Sequence, residues 1–268
     1  MKLPRQLRDG HQKAIAKLFE KLTYRHSRWT VWSDFVLMAA CTLSLLDVEH
    51  REERIQMHNN AAAKYNAAEM DDFRDMFEEI VQTLEDNPNQ DFLGELFMAL
   101  ELSNEAVGQF FTPYSVCAMI AKMQCVDIVE KVKEKGYISV NDPAVGAGAL
   151  LIAFANECRA QGVNYQNHIL FVAQDIDYVA AMMCYIQLSL LGCAGYVIVG
   201  NTLTTPPTEP LSNQNVWYTP MYYCDLWQWR RIFKALSVLQ RPRAEEAEAA
   251  EVAPLPAKAD EQVQLTLF

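Results

Sequence analysis

The 268-residue chain is 51% hydrophobic and 21% charged, the make-up of an ordinary globular protein long enough to bury a sizeable core. Its net charge of −11 weighs against broad, sequence-independent binding to nucleic acid, which needs clustered Lys and Arg. No apolar run is long enough to suggest a membrane span, and no signal-peptide core follows the basic start MKLPRQLRDG, so a cytoplasmic protein without a membrane partner is expected.

Residues 1–106 read as a helical N-terminal domain. In DGHQKAIAKLFEKLTYRH, Ile15, Leu18, Phe19 and Leu22 fall at helical spacing behind Asp9, a candidate cap. Residues 1–32 carry eight Lys and Arg against Asp9 and Glu20, an excess that reads as a solvated helix face, with phosphate contact as the alternative. SDFVLMAACTLSLLD is apolar on every side and is expected to be buried. EMDDFRDMFEEIVQTLEDNP carries Phe73, Met76, Phe77, Ile80, Val81 and Leu84 on one stripe and stops at Asn87-Pro88; DFLGELFMALEL follows as another helix.

From 107 to 240 the pattern changes. YISVND (137–142), HILFVAQD (168–175) and GYVIVG (195–200) read as buried strands. They alternate with helices that end at Gly162 and Gly192, the signature of a parallel, Rossmann-like α/β sheet. Residues 241–268 form an Ala-, Glu- and Pro-rich tail with little to bury, expected to be disordered. The seven cysteines are scattered through apolar segments without a C-x-x-C pair, so reduced thiols are expected, with no metal site and no disulfide framework.

The segment Asp142-Pro143-Ala144-Val145-Gly146-Ala147-Gly148 lies between the first strand and its helix. Ligands of open parallel sheets bind at the carboxyl ends of strands, glycines let the backbone approach them closely, and a helix start favours negative charge. Asp175 ends the second strand, where a carboxylate can take both hydroxyls of a ribose. Together these point to a nucleoside-containing cofactor. Position 151 is Leu, so this is not the dinucleotide G-x-G-x-x-G. Some thirty residues upstream, GQFFTP (108–113) opens the helix YSVCAMIAKM, with Thr112 as the candidate N-cap and Pro113 as the first helical residue.

The D-P-x-x-G-x-G turn, GQFFTP and the LGE of DFLGELF resemble the motifs of the N-6 adenine DNA methylases, the modification subunits of type I restriction systems, over roughly residues 90–203. The resemblance implies a truncated S-adenosylmethionine-dependent methyltransferase sheet behind the helical domain. It implies that Phe111, Thr112 and Pro113 hold the methionine end of S-adenosylmethionine, and that Asp142, Ala144, Gly146 and Gly148 form the cofactor loop. Asp175 would bind the ribose, Ile176 would pack on the adenine, and Asn201 stands where the family has an Asp that accepts from the adenine amino group. It also implies DNA as substrate.

The family's [DN]-P-P-[YF] motif, which aligns the target amino group and stacks on a flipped base, has no intact counterpart. Thr219-Pro220-Met221-Tyr222 aligns with it as T-P-M-Y, keeping a proline carbonyl and an aromatic ring while replacing the acid or amide. The three or so strands that follow in the family are replaced by one helix, CDLWQWRRIFKALSVLQ. The expectation is an adenine-N6 DNA methyltransferase that is weak or dependent on a partner protein. The alternative is a non-catalytic cofactor-binding protein. The chain ends QLTLF, which resembles the peptide by which bacterial replication and repair proteins dock on the sliding clamp. Gln264, Leu265, Leu267 and Phe268 would make that contact.

Overall fold

The structure, a computed structural model, describes residues 7, 10–102, 111–207, 215–239 and 264–266. Asp9, the 108–110 part of GQFFTP, the tail 241–263, Leu267 and Phe268 therefore lie outside the described residues.

Five helices come first: α1 (Gly10–Leu22), α2 (Arg28–Leu43), α3 (Arg51–Ala62), α4 (Ala67–Asp86) and α5 (Phe92–Ala99). Local chemistry sets their starts. The Ser27 side chain accepts from the Thr30 amide at α2, and Asn66 and Glu69 form a reciprocal capping box at α4. The Asp91 carboxylate accepts from the Gly94 amide at α5. With the 3-10 turn Ser44–Leu46, the segment Arg28–Leu46 is long and apolar enough, by length and composition, to cross a membrane, which corrects the reading of the sequence. Here Val31, Trp32, Phe35 and Val36 are buried, and α2 packs against α3 and α10 (Tyr178–Leu190). A helix hydrophobic on all sides is one with neighbours on all sides. The basic face near α1 is partly spoken for: Lys21 pairs with Asp72 at 2.7 Å and Arg25 with Glu69 at 2.9 Å, both acids on α4, and Arg28 pairs with Glu20.

The remaining elements are α6 (Tyr114–Gln124), α7 (Ile128–Lys135), β1 (Ile138–Asp142), α8 (Ala149–Ala160), α9 (Tyr165–His168), β2 (Ile169–Asp175), β3 (Gly195–Val199), β4 (Asn215–Tyr218), α11 (Asp225–Leu239) and β5 (Gln264–Thr266). The sheet runs β4-β3-β2-β1-β5. β1, β2 and β3 are parallel neighbours, with Ile138 opposite Ile169 and Phe171 opposite Gly195, so the Rossmann-like α/β core stands as expected. Helix α10, buried along nearly its whole length, lies between the sheet and α2, and one apolar core runs from α1 through α10 to Trp217 of β4.

Two strands depart from the expected plan. β4 runs antiparallel to β3, with Asn215 opposite Val199 and Tyr218 opposite Tyr196. The other is β5. Instead of a free end, Gln264, Leu265 and Thr266 pair in parallel with Ser139, Val140 and Asn141. An outer strand presents unpaired N–H and C=O groups, and a short β-compatible segment of the same chain satisfies them.

Candidate functional site

The carboxyl ends of β1, β2 and β3 gather most of the residues expected to bind a cofactor. After β1 the chain turns through Gly146 and Gly148, whose φ values of 56° and 100° lie in the left-handed region. Both turns are also crowded. A methyl group on Gly146 would stand 3.0 Å from the Phe111 ring, and one on Gly148 3.0 Å from the Cys184 sulfur of α10. Glycine is thus required twice over, by conformation and by clearance. The first of these contacts joins the two sequence motifs, since it lays the Phe111 ring on the glycine turn.

The turn is fixed from several sides. Val145 N–H donates to the Gln174 carbonyl of β2 at 3.0 Å, and the Thr202 hydroxyl donates to the Pro143 carbonyl at 2.6 Å. Asp142 Oδ1 accepts from the Ala144 amide at 3.1 Å. Asp175 spans two elements: Oδ2 accepts from Gly146 N–H at 2.8 Å and Oδ1 from Asp177 N–H at 2.8 Å. Burial pushes the Asp142 carboxyl up to about 6, with the Asp175 charge adding to the rise and the Ala144 hydrogen bond opposing it. Burial likewise raises Asp175, against the amides of Asp177 and Gly146. Ile176, beside Asp175, is 71% exposed, an apolar side chain open for a flat partner. Asn201 follows β3; its Oδ1 accepts from Leu203 N–H at 3.0 Å and keeps a second lone pair.

Thr112 and Pro113 lead into α6, but Pro113 and not Thr112 is the N-cap, because the helix begins at Tyr114 and no side chain closes its first turn. The first amides of α6 are therefore left to other acceptors. They border a cavity of about 660 Å³ between the start of α6 and α5, walled by Asp91, Gly94, Phe111, Thr112, Pro113 and Ser115 among others. Such a volume falls in the usual range of roughly 300–1,000 Å³ for small-molecule sites. Asp142, Asp175 and Asn201 lie outside this wall; Phe111 belongs to it and touches the glycine turn.

Thr219, Pro220 and Tyr222 are not brought to this site. Because β4 is antiparallel, its end meets the start of β3: Thr219 N–H donates to the Gly195 carbonyl at 3.0 Å. The carboxyl end of β3 lies four residues away, about 13 Å at the usual strand rise. Thr219 is fully buried; its hydroxyl donates to the Cys193 carbonyl at 2.7 Å and accepts from Gly195 N–H at 3.0 Å. Pro220 opens a 3-10 turn, and the Tyr222 ring stacks on Tyr218 at 5.1 Å beneath the Arg231 guanidinium. T-P-M-Y, expected at a transfer centre, is placed as a packed corner at the start of β3, away from the carboxyl ends of β1–β3.

Two residues of the site went unnoticed in the sequence. Asp91 and Gln187 hydrogen-bond to each other at 2.8 Å, and Gln187 also reaches the Ala147 carbonyl of the glycine turn at 2.8 Å. The only hint of Gln187 is an amide within the apolar run of α10. Among the described residues no group of His, Cys, Asp and Glu side chains is arranged to hold a metal ion.

The model of the N-6 DNA methylase family matches residues 89–253. This chain belongs to the N-6 DNA methylase family. The match takes in α5, the glycine turn, Asp175 and Asn201. Among solved structures, a putative class I S-adenosylmethionine-dependent methyltransferase from Listeria monocytogenes is similar, with 15% identity and a TM-score of 0.41. The similarity covers 75% of this chain and 56% of that one, so this N-6 DNA methylase homologue spans just over half of its length. No curated protein matches the chain.

Proposed function

We propose that this N-6 DNA methylase family member binds S-adenosylmethionine at the carboxyl edge of β1–β3 and methylates adenine N6 in DNA only with a partner chain that supplies the transfer loop. The observation that carries the cofactor reading is the convergence of Phe111, Gly146 and Asp175: ring on turn, and turn amide on carboxylate at 2.8 Å. The residues fit the group. Asp175 retains lone pairs for two ribose hydroxyls, Ile176 offers an apolar face for adenine, and the open amides of α6 suit a carboxylate. The bound cofactor would supply the electrophilic methyl group; the chain's own part is to hold it and keep its amino-acid end away from water.

Partner dependence rests on the position of Thr219. T-P-M-Y packs where β4 meets the start of β3, so that motif's proline carbonyl and aromatic ring are not at the cofactor edge. The second reading, a non-catalytic cofactor-binding protein brought to DNA by its C-terminus, draws on the same observation. In that reading Leu267 and Phe268 anchor the tail on the bacterial sliding clamp, and docking has to release β5 from β1.

Calorimetry with S-adenosylmethionine is the first test. Wild-type protein should bind, and Asp175→Ala should bind about tenfold or more weakly through loss of charge-assisted hydrogen bonds. No heat of binding at millimolar cofactor refutes the site. Methyl transfer to adenine-containing DNA then separates the readings. Fast transfer by the single chain refutes partner dependence, and absence of transfer with every partner tried favours the non-catalytic reading. A clamp titration with a peptide ending QLTLF, against its Leu267→Ala, Phe268→Ala form, tests docking, which equal binding of the two peptides would overturn.

A further inference from the structure

The Asp91 carboxylate does more than cap α5. Both of its hydrogen bonds fall on Oδ1, from Gly94 N–H at 3.0 Å and from Gln187 Nε2 at 2.8 Å. Oδ2 receives none from the described residues, and no described Lys or Arg pairs with it, although Asp91 is only 3% exposed. Gly94 shows that this placement is specific. A methyl group there would land on Oδ2, so the carboxylate lies over the first turn of α5 in space that only glycine leaves. An N-cap acid needs just the Gly94 amide; glycine inside a helix sacrifices about 1 kcal/mol relative to alanine. The Gln187 amide is fully buried and fully used. Its Oε1 accepts from Leu93 N–H at 3.1 Å, while Nε2 serves both Asp91 and the Ala147 carbonyl. It thereby ties the position of Asp91 to the glycine turn.

Asp91 and Gly94 line the same cavity as Thr112, Pro113 and Ser115. One wall of that cavity is a helix start with open amides, which favours an anion; another carries an acid without a cation, which favours a positive group. A cavity with both is matched to a zwitterion. We propose that Asp91 is the residue that binds the α-ammonium group of a ligand's amino-acid end, with Gly94 and Gln187 as the residues that position it.

This rests on the cofactor reading above and adds a residue that neither the glycine turn nor GQFFTP contains. The charge balance agrees. Burial pushes the Asp91 carboxyl up to about 6, the hydrogen bonds from Gln187 and Gly94 opposing this and the Glu95 charge adding to it. The other titratable groups that feel Asp91 are Tyr114 and Cys117 of α6 and Cys184 of α10, none of them cationic. An ammonium arriving beside Asp91 would drive its ionisation, so binding near pH 6 should release protons.

The test compares S-adenosylhomocysteine with 5′-methylthioadenosine, two thioethers that differ only in the amino-acid portion, by calorimetry on the full chain. Asp91→Asn keeps a capping oxygen and the shape of the side chain. It should weaken S-adenosylhomocysteine about tenfold or more while leaving 5′-methylthioadenosine within about twofold. Gly94→Ala, which displaces Oδ2 but keeps the charge, should show the same selectivity. Proton release at pH 6, read from buffers of different ionisation enthalpy, should be present in the wild type and reduced in Asp91→Asn. Equal weakening of both ligands makes Asp91 purely structural and overturns the proposal, as does no change in either. If neither ligand binds the wild type, the cofactor reading falls and this inference falls with it; if both bind and only the Asp91 effect is missing, this inference alone is wrong.

Discussion

Thr219→Val is nearly isosteric and removes one hydroxyl from a fully buried place. That hydroxyl donates to the Cys193 carbonyl at 2.7 Å, lies 3.2 Å from the Gly195 carbonyl and accepts from the Gly195 amide at 3.0 Å. Valine leaves the Gly195 amide and the Cys193 carbonyl without this partner. Leaving a buried polar group unsatisfied costs about 1–3 kcal/mol, so a loss of at least about 2 kcal/mol follows for the pair. For a chain of this size that lowers Tm by roughly 5 °C or more. Thermal unfolding followed by circular dichroism reads it directly. Thr219→Asp should be worse, because it puts a carboxylate where neutral groups were paired. A loss of less than about 1 °C for Thr219→Val would refute the structural role. A gain in methyl transfer on Thr219→Asp or Thr219→Asn would restore T-P-M-Y to the chemistry and contradict the placement of β4.

Gly146→Ala forces an L-residue to φ 56° and sets a methyl 3.0 Å from the Phe111 ring; it should cost about 1–2 kcal/mol and impair S-adenosylmethionine binding, and unaltered affinity would show that the turn does not shape the site. Asp91 and Asp142 both titrate near 6 in the fold, raised by burial. Raised acids stabilise when protonated, so their contribution is complete below about pH 4 and lost as pH rises through 6, by up to about 3 kcal/mol each. The cofactor-free protein should therefore melt lower at pH 7 than at pH 5, all else equal, and Asp91→Asn should flatten the profile; an unchanged slope in the variant refutes the assignment. Deleting residues 264–268 should speed hydrogen exchange at the amides of Ser139–Asn141, and unchanged exchange would mean that β5 does not hold β1 in solution.

The three parallel strands are legible in the sequence because each is a short apolar run bounded by polar or glycine punctuation. The intervening helices stop at Gly162 and Gly192, whose φ values of 81° and 69° are the left-handed ends that glycine tolerates. The glycine turn is legible because Gly146 and Gly148 stand one residue apart between an apolar strand and an apolar helix. Strand direction is not. VWYT suits a strand either way, and nothing local says that Asn215 pairs with Val199 rather than joining β1 in parallel. Thr219 has the same limitation: aligned by eye it resembles a degenerate catalytic position, while tertiary placement makes it a hydrogen-bonding corner. The cap of α6 shifts by one residue because Pro113 itself takes an extended conformation, φ −55° and ψ 136°, and so stands outside the helix it precedes. Asp91 reads locally as a cap, which it is; its second role depends on Gln187, nearly a hundred residues away.

The order β4-β3-β2-β1-β5 gives the two departures a common consequence. Strands β1 to β3 are added in one direction and β5 is added on the other side of β1, so the topological switch lies between β1 and β5, where open α/β sheets place their ligands. The turn Asp142–Gly148 leaves β1 at that crevice. Any strand on the outer edge of β1 borders the cofactor loop, and in this chain that strand is Gln264–Thr266, part of the segment proposed to dock on the clamp. Docking that takes these residues off the sheet would compete with their pairing to β1. If cofactor binding favours the paired state by holding β1 and its turn in place, linkage requires clamp docking to weaken cofactor binding by the factor by which cofactor weakens docking. A tail that docks without altering cofactor affinity would show that β5 contributes nothing to the loop. A reciprocal loss would make the C-terminal strand the element through which attachment to DNA is communicated to the cofactor site.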